Sequence, residues 1–327
     1  MNIKKSITEI IGKTPLLQLG NFEKSNEVEA EIIAKLEFLN PASSIKDRTA
    51  LSMIETFENE GILKPGGIIV EVTSGNTGVG AAAIAAARGY KTKIYLPDNV
   101  SEERTQVARA YGAEVVSLSQ IPNIEQAIER SGGDFVATIK EYIKPYFEQL
   151  NDGSVFLDQM SNPANADIHY RTTGPEIWED TNGTVDIYIA TVGTGGTISG
   201  AGQFLKERNP NVQVIAVEPS WDSITSNDNP DAKELMGTHR FSDLTGNAIP
   251  DNLQRNIIDE VIEVNGNDAY NAAQLVAKTD GVLVGISAGA ALWAAVQVAK
   301  RPENIGKRLV VILPDTGLRY LSTDLFK

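Results

Sequence analysis

Short apolar runs alternate with helical stretches along this chain of 327 residues. The runs are rich in Val and Ile and end at Gly, Pro or Asp, a pattern typical of strands buried on both faces. They lie at residues 31–38, 66–72, 91–97, 113–118, 185–192, 212–218 and 308–314. Helical stretches such as 75–89 and 196–210 separate them. This alternation predicts an α/β fold in which parallel sheets carry helices on both faces.

The chain is longer than one hydrophobic core usually supports, which favours two domains or one large α/β unit. A polar, helix-like stretch covers residues 121–153, and Pro, Asn and Gly break the pattern after it. We therefore expect a domain boundary near residue 155. Since no apolar run is long enough to span a bilayer and the N-terminus does not resemble a secretory signal, we expect a soluble, cytoplasmic protein.

Composition narrows the classes of partner. The chain has 43 acidic and 29 basic side chains, a net charge of −14 that disfavours nucleic acid and anionic membranes as partners. It has no cysteine, which removes disulfides, thiolate metal sites and cysteine nucleophiles. Only His169 and His239 remain for base or ligand chemistry, and they are far apart in sequence. We predict no metal site.

A lysine stands where the first of these strands gives way to a helix. Ser44 and Asp47 have the spacing of a capping box, which places Lys46 in the first helical turn. The positive end of the helix disfavours an ammonium there and should lower the pKa of Lys46, while Asp47 and Arg48 act in opposite directions. A lysine that loses its proton easily suits Schiff-base chemistry. A solvated first-turn lysine is the other interpretation.

A second strand-to-helix junction follows the run at 66–72. Gly75 and Gly78 permit a close approach to the backbone, and four side chains add hydrogen-bonding groups at the start of the helix. These side chains belong to Thr73, Ser74, Asn76 and Thr77. The junction predicts a site for a carboxylate or a phosphate, or else an ordinary turn before a capped helix.

A third junction is rich in glycine and offers consecutive backbone N–H groups and two hydroxyls to a phosphate dianion. It consists of Gly193, Thr194, Gly195, Gly196 and Thr197. The Lys-Ser/Thr pair of a Walker loop is missing. A dinucleotide fingerprint would need glycine at Ile198, although Glu218 could imitate its ribose-binding acid, so this alternative is weakened and not excluded. The pattern favours a small phosphorylated cofactor.

The fourth junction contains Ser287 between Gly285 and Gly289, the spacing of a hydrolase nucleophile elbow. That fold places its histidine after the serine, whereas His169 and His239 both precede it. We therefore expect Ser287 to present its hydroxyl to a ligand or to cap the helix.

Taken together, these segments resemble the cysteine synthase and cystathionine β-synthase family of fold-type II pyridoxal-phosphate enzymes. The resemblance covers residues 5 to 325 and rests on IGKTPLLQL, NPASSIKDR, TSGNTGVG, SNPANADIHYRTTGPEIWED, GTGGTISG, GISAGAA and LPDTGLRYLS, which occur in the family's order. It implies two doubly wound, mostly parallel three-layer domains with the cofactor in the cleft between them, and a homodimer. The smaller domain would comprise residues 1–12 and 35–155, and the larger one residues 13–34 and 156–327.

The resemblance also implies roles for single residues. Lys46 would carry pyridoxal 5'-phosphate as a Schiff base, Asn76 would meet the ring hydroxyl, and Ser287 would bond the pyridine nitrogen. The cofactor phosphate would lie on Gly193, Thr194, Gly195, Gly196 and Thr197. The α-carboxylate of the substrate would lie on Thr73, Ser74, Gly75, Thr77 and Gln159.

The implied reaction is β-replacement at a serine-type amino acid through an aminoacrylate, and cysteine synthesis from O-acetylserine and sulfide is our leading hypothesis. A cysteine lyase that releases hydrogen sulfide and leaves serine or pyruvate is an alternative, as is cystathionine synthesis. Outside this class, a nucleotide-dependent oxidoreductase and a non-catalytic binding protein stay open.

Three departures from the family pattern bear on these roles. Residues 243–250 read DLTGNAIP where a glycine-rich loop is usual, so Asp243 is either a base that activates water or a second substrate, or a loop acid facing solvent. Met160 replaces a common phenylalanine. The segment 120–150 is longer than usual, and we expect it to be a surface elaboration.

Overall fold

The structure is a computed structural model that describes residues 3–97, 100–225 and 229–327. Within these residues the chain forms two separate sheets, one of six strands and one of four. The strands of the larger sheet are β1 (Leu16–Gln18), β2 (Glu31–Leu36), β7 (Ile187–Thr191), β8 (Gln213–Pro219), β9 (Glu260–Val264) and β10 (Arg308–Leu313). Those of the smaller sheet are β3 (Ile68–Val72), β4 (Lys91–Leu96), β5 (Glu114–Ser117) and β6 (Ser154–Phe156).

Both sheets are wound outward from a central strand and then back to its other side. The larger sheet has the order β1-β2-β10-β7-β8-β9 and the smaller one β5-β4-β3-β6, and every pair except the antiparallel β1-β2 is parallel. In the larger sheet the chain leaves β7 toward β9 and returns to β10, so the order reverses at β7. In the smaller sheet it reverses at β3. Crevices at such reversals, outside the carboxyl ends of the strands, are where α/β sheets bind ligands.

Helices cover the faces of both sheets. They are α1 (Gly20–Ser25), α2 (Lys46–Asn59), α3 (Asn76–Arg88), α4 (Glu102–Ala110), α5 (Ile124–Arg130), α6 (Phe135–Thr138), α7 (Lys144–Leu150), α8 (Ala164–Ile168), α9 (Gly174–Asp180), α10 (Gly196–Arg208), α11 (Gly266–Thr279) and α12 (Ile286–Ala299). Single π-helical turns, 139–143 and 169–173, join α6 to α7 and α8 to α9. No helix in the described part of the chain is long and apolar enough to cross a membrane.

The central strands are buried on both faces, as their continuous apolar runs predict. In β7, Ile187 and Ile189 join the core under α11 and α12, whereas Tyr188 and Ala190 join the core on the α10 face. Alternate side chains of a strand point to opposite faces, so one strand supplies both layers. This two-sided core holds the carboxyl end of β7 in place for the loop that follows it.

The predicted fold class is confirmed: the sheets are mostly parallel and covered on both faces. All the strands read from apolar runs are present, and the helix-like stretch at 121–153 is helical. Three strands were not predicted, β1, β6 and β9, because β1 and β6 have only three residues each and the five residues of β9 include two acids, Glu260 and Glu263, which interrupt an apolar run. The domain boundaries, including the division at residues 34 and 35 that falls inside β2, stay a prediction.

A buried ion network joins α2 to the larger sheet. The Arg48 guanidinium on α2 donates to both carboxylate oxygens of Glu37, at 2.8 and 2.9 Å, and to Glu176 on α9 at 2.6 and 2.7 Å. Lys35 on β2 also donates to Glu176, at 2.8 Å. Burial alone would raise the pKa of Glu176, but Arg48 and Lys35 outweigh it and lower that pKa to about 2. The network therefore helps to set the position of α2 and its first residue.

We predict that Arg48→Met destabilises the protein by about 3–5 kcal/mol, since it leaves two carboxylates without their buried partner. Arg88→Met is the matched control, because Arg88 pairs with Glu55 and Glu58 at a partly exposed site, where about 1 kcal/mol or less is expected. Urea denaturation of both variants measures the difference. Equal shifts of the two midpoints would contradict the role given to Arg48.

Candidate active site

A cavity of about 960 Å³ lies where the carboxyl ends of the two sheets face each other. Its wall takes residues from the loops after β3 and β7, from the segment after β10, and from the first turns of α2 and α12. The predicted site residues that line it are Lys46, Thr73, Ser74, Asn76, Thr77, Gln159, Gly193, Thr194, Gly195, Thr197 and Ser287. Residues from all four strand-to-helix junctions thus meet in one space.

Lys46 is the first residue of α2, and its position depends on the segment after β10. The Ile45 N–H donates to the Pro314 carbonyl at 2.8 Å, and the Lys46 N–H donates to the Ser44 hydroxyl at 3.2 Å. Burial lowers the pKa of Lys46 to about 8, while the negative charge of Asp315 acts against this shift. The direction agrees with the sequence-based expectation, but burial is the main cause rather than the helix end.

The capping box predicted for Ser44 and Asp47 does not form as a reciprocal pair. Asp47 instead accepts the Ala42 N–H at 2.6 Å, two residues before Ser44. Its carboxylate is buried, and burial raises its pKa to about 7. Asp47 therefore holds the turn that precedes α2, whereas the Ser44 hydroxyl accepts the first N–H of the helix.

The loop after β3 is held by hydrogen bonds between its own residues and to Gln159. The Thr73 hydroxyl accepts the Gly75 N–H at 3.1 Å, and the Thr77 hydroxyl donates to Gln159 Oε1 at 2.5 Å. Gly75 has φ of 141°, and a Cβ on it would lie 2.3 Å from the Arg104 Cδ. Only glycine tolerates this backbone conformation and this contact with Arg104. Gly75 itself does not line the cavity, whereas Ser74, Asn76 and Thr77 do.

Asn76 belongs to a chain of buried polar groups that ends at the cavity wall. Its Nδ2 donates to Asp315 Oδ2 at 2.8 Å, and its Oδ1 accepts from Arg319. The same Asp315 oxygen accepts the Tyr320 hydroxyl at 2.7 Å, and that hydroxyl accepts from Arg104 at 2.7 Å. The Asn76 amide is therefore fixed in orientation by one carboxylate and one guanidinium.

The loop after β7 leads directly into α10. Gly195 has φ of 80°, and a Cβ there would lie 2.6 Å from the Leu253 Cβ, so the turn needs glycine. Thr194 accepts from Asn165 at 2.8 Å, and the Thr197 hydroxyl lies 3.2 Å from His169 Nε2. Of the five residues predicted for this loop, Gly196 alone does not line the cavity, because it packs against Asn165. The N-terminal turn of a 13-residue helix thus meets the cavity.

Ser287 lies in the first turn of α12 and is nearly buried at the cavity wall. In the described part of the chain no histidine bonds it. His169 contacts Thr49, Thr173 and Thr197, and the ring of His239 stacks on Phe135. This arrangement gives no support to a serine hydrolase triad.

Asp243 is not among the residues that line the cavity. Its carboxylate accepts from the Arg240 Nε at 3.1 Å, and its side chain is 42% exposed. Its neighbour Leu244 does line the cavity, as does Met160. Asn247 on the same loop donates to Glu141 at 2.8 Å. The structure therefore places Asp243 beside the cavity and bonded to Arg240, and its catalytic role stays a prediction.

Two parts of the wall were not predicted from sequence. Residues 131–136 line the cavity, so the expectation that 120–150 is only a surface elaboration was wrong for this part. Residues 234–240, including His239 and Arg240, line it from the loop between β8 and β9. The two histidines are far apart in sequence, but both contribute to this region: His239 lines the wall and His169 contacts Thr197. In the described ranges no cluster of His, Asp and Glu could hold a metal ion.

Comparison with known proteins agrees with this geometry. Residues 7–315 match the family model described as "Pyridoxal-phosphate dependent enzyme", and the chain belongs to this family. The chain is 42% identical over 322 residues to a cysteine synthase of Staphylococcus aureus (strain Mu50 / ATCC 700699), which covers 98% of this chain and 96% of that protein. This enzyme therefore uses pyridoxal phosphate.

Solved structures of two enzymes with different named activities have the same fold as this chain. O-ureido-L-serine synthase is 36% identical with a TM-score of 0.81 and covers 99% of this chain and 95% of its own. A hydrogen sulfide-producing enzyme from Fusobacterium nucleatum is 34% identical with a TM-score of 0.81 and covers 98% of this chain and all of its own.

The side chains at the cavity fit pyridoxal phosphate. The loop after β7 offers backbone N–H groups at a helix N-terminus, which suit a phosphate dianion. Lys46 offers an amine with a lowered pKa, which suits an aldehyde. Gly193 has no room for a side chain, since a Cβ would lie 2.4 Å from the Gly237 carbonyl oxygen. The cradle therefore consists of backbone and small polar groups.

We predict that in the cofactor-free protein Lys46 reacts with an amine-specific acylating reagent with a midpoint near pH 8, well below the value of an ordinary lysine. Mass spectrometry of the labelled peptide against pH measures this midpoint. In Asp315→Asn the midpoint should fall further, because the carboxylate charge raises the pKa of Lys46. A midpoint near 10.5 in the unsubstituted protein would contradict the burial argument.

Proposed function

We propose that this enzyme is a cysteine synthase that replaces the acetoxy group of O-acetylserine with sulfide, giving cysteine and acetate. The observation that carries the proposal is the cavity that joins Lys46 with loops 73–77 and 193–197, in a chain 42% identical to a cysteine synthase over nearly its whole length. A sulfide and a small amino acid are the substrates that this assignment requires.

We propose that Lys46 holds the cofactor aldehyde and that the phosphate lies on the loop after β7, on the four predicted residues that line the cavity, Gly193, Thr194, Gly195 and Thr197. Asn76 meets the ring hydroxyl, because its amide is already oriented by Asp315 and Arg319. Ser287 meets the ring nitrogen with a hydroxyl, which is a weaker proton donor than a carboxylic acid. This favours departure of a β-substituent over a long-lived carbanion.

The substrate carboxylate is proposed to lie on the loop after β3, on Thr73, Ser74 and Thr77, which line the cavity, with Gln159 beside it. The hydrogen bond from Thr77 to Gln159 links two of these groups before a ligand arrives. The buried Arg104 lies under the loop, and its Nε has no hydrogen-bond partner in the described residues. Its charge makes this end of the cavity favourable for an anion.

Bound pyridoxal phosphate supplies an electron sink that makes the α-proton of an amino acid acidic and lets the β-substituent leave. Lys46 is the group proposed to accept this proton. With a pKa of about 8, a useful fraction of the amine is neutral near neutral pH, and its conjugate acid is strong enough to return the proton at the end.

Release of hydrogen sulfide from cysteine is a second candidate reaction. It is favoured by the likeness to the Fusobacterium nucleatum enzyme over all of that chain. In this route Asp243 is proposed to activate the water that replaces the departing sulfide. Asp243 is bonded to Arg240 and precedes Leu244 in the sequence, and both of these residues line the cavity.

We predict that the purified holoenzyme has a higher kcat/KM for O-acetylserine with sulfide than for cysteine alone. Assays of cysteine, and of sulfide, serine and pyruvate, measured side by side, rank the two routes. Lys46→Ala should abolish both, because the same amine moves the α-proton in each. Faster release of sulfide from cysteine would reverse the assignment, and turnover of neither substrate would remove it.

We predict that Asp243→Asn keeps its cofactor content but forms serine from cysteine about 100-fold more slowly, as expected when a general base is lost. Glu263→Gln is the matched control, since Glu263 is also a half-exposed carboxylate bonded to Arg240, at 2.9 Å. If both variants change alike, the effect comes from Arg240 and Asp243 has no role of its own.

We also propose that the enzyme is a cytoplasmic homodimer. The 3₁₀ turn at residues 7–10 has no buried residue, and Ile3, Ile7 and Ile10 are 76%, 41% and 47% exposed. Such a group of apolar side chains supports contact with a second copy. Sedimentation would contradict the dimer if it gave the mass of one chain.

A further inference from the structure

His239 occupies a position in the cavity wall that no part of the proposed mechanism uses. It lies on the loop between β8 and β9. Its backbone N–H donates to the carbonyl of Val192, the residue before Gly193, at 2.7 Å. The Gly237 carbonyl oxygen packs directly on Gly193. The backbone of His239 is therefore anchored to the start of the loop that faces the cofactor phosphate.

The ring of His239 is held from the opposite wall. It stacks on Phe135, with the ring centroids 6.5 Å apart and the planes inclined by 23°. Phe135 begins α6 and belongs to the other, smaller-sheet side of the cavity. Across the described residues, neither ring nitrogen of His239 has a hydrogen-bond partner, whereas both nitrogens of His169 lie within hydrogen-bond distance of threonine hydroxyls. The imidazole of His239 thus has a fixed place and nitrogens available to a ligand.

Burial is the main factor that keeps the ring of His239 neutral. Burial lowers its pKa below 6.5, Asp134 raises it, and Lys46 lowers it again. Asp134 is occupied by the Ala137 N–H, which it accepts at 2.7 Å. The adjacent Arg240 is neutralised by Glu218, Asp243 and Glu263. One ring nitrogen is therefore a proton acceptor at neutral pH.

Other bases at the cavity are less suited to the incoming nucleophile. Lys46 is committed to the α-proton in the proposed function, and Asp243 does not line the cavity. Glu234 lines it but accepts the Thr225 N–H at 3.3 Å. A neutral imidazole is a stronger base than a carboxylate and gives up no hydrogen bond here.

We propose that His239 is the general base that takes the proton of an un-ionised thiol as it adds to the substrate β-carbon. The sulfur–hydrogen bond breaks, its proton passes to the imidazole nitrogen, and the sulfur electron pair forms the bond to carbon. The electron pair displaced to the α-carbon takes a proton from Lys46. The imidazolium then releases its proton to water, so no oxidant or reductant is required. This inference rests on the proposed β-replacement.

The test compares two nucleophiles in the holoenzyme with O-acetylserine. 2-Mercaptoethanol is un-ionised near neutral pH and needs a base, whereas 5-thio-2-nitrobenzoate is already a thiolate and needs none. His239→Gln should lose about 100-fold in kcat/KM with the first and less than about threefold with the second. With 2-mercaptoethanol the unsubstituted enzyme should lose activity as pH falls through a midpoint below 6.5, and the variant should lack this step.

His169→Gln makes the same substitution at the other histidine, which contacts Thr197. This variant should change kcat/KM by the same factor with both nucleophiles, because a structural effect does not depend on whether the thiol is ionised. An equal loss for both nucleophiles in His239→Gln would overturn the base assignment and leave β-replacement standing. If the unsubstituted enzyme turns over sulfide but neither thiol, the inference is overturned and the proposed function stands; if it turns over none of the three nucleophiles, the proposed function itself fails.

Discussion

Burial of one amine between the carboxyl ends of two sheets is the constraint on which the rest of the site depends. An ammonium transferred to such a place is costly, so the protein lowers the pKa of Lys46 to about 8. The Asp315 carboxylate moderates the shift. A base with this pKa can both take and return a proton near neutral pH, which an exposed lysine does poorly. The burial that costs stability thus generates the reactivity.

Holding this amine requires contacts from distant parts of the chain. The Pro314 carbonyl fixes the start of α2, and the Arg48 network ties α2 to the larger sheet. Asp315 accepts from Asn76 and Tyr320, and so connects the C-terminal segment to the loop after β3. The start of α2 and the loop after β3 therefore share a support in the segment after β10, and a change at one of these buried groups acts on several parts of the cavity wall.

Much of the fold was predictable because the buried strands are continuous apolar runs bounded by turn residues. The four junctions were predictable because glycines and hydroxyls must follow strands that meet a ligand at their carboxyl ends. The direction of the Lys46 pKa shift was also correct, although the helix end was named as its cause. Burial depends on the whole tertiary packing, which a first-turn position does not reveal.

The parts of the cavity wall that long-range packing forms could not be predicted from the local sequence pattern. Phe135 and His239 are 104 positions apart, and only the fold stacks their rings. The Asp47 carboxylate accepts the Ala42 N–H instead of completing the expected capping box, because the turn before α2 is itself buried. The one signal for His239 was its place near DLTGNAIP, where the sequence departs from its family.

The central claim is that the Lys46 amine carries pyridoxal phosphate. Borohydride reduction of the holoenzyme, followed by digestion and mass spectrometry, tests it directly. The account predicts a single peptide with the mass of a reduced pyridoxyl phosphate group, fragmenting to place it on Lys46. A label on another lysine, or a fully reduced sample with no labelled peptide, would contradict it.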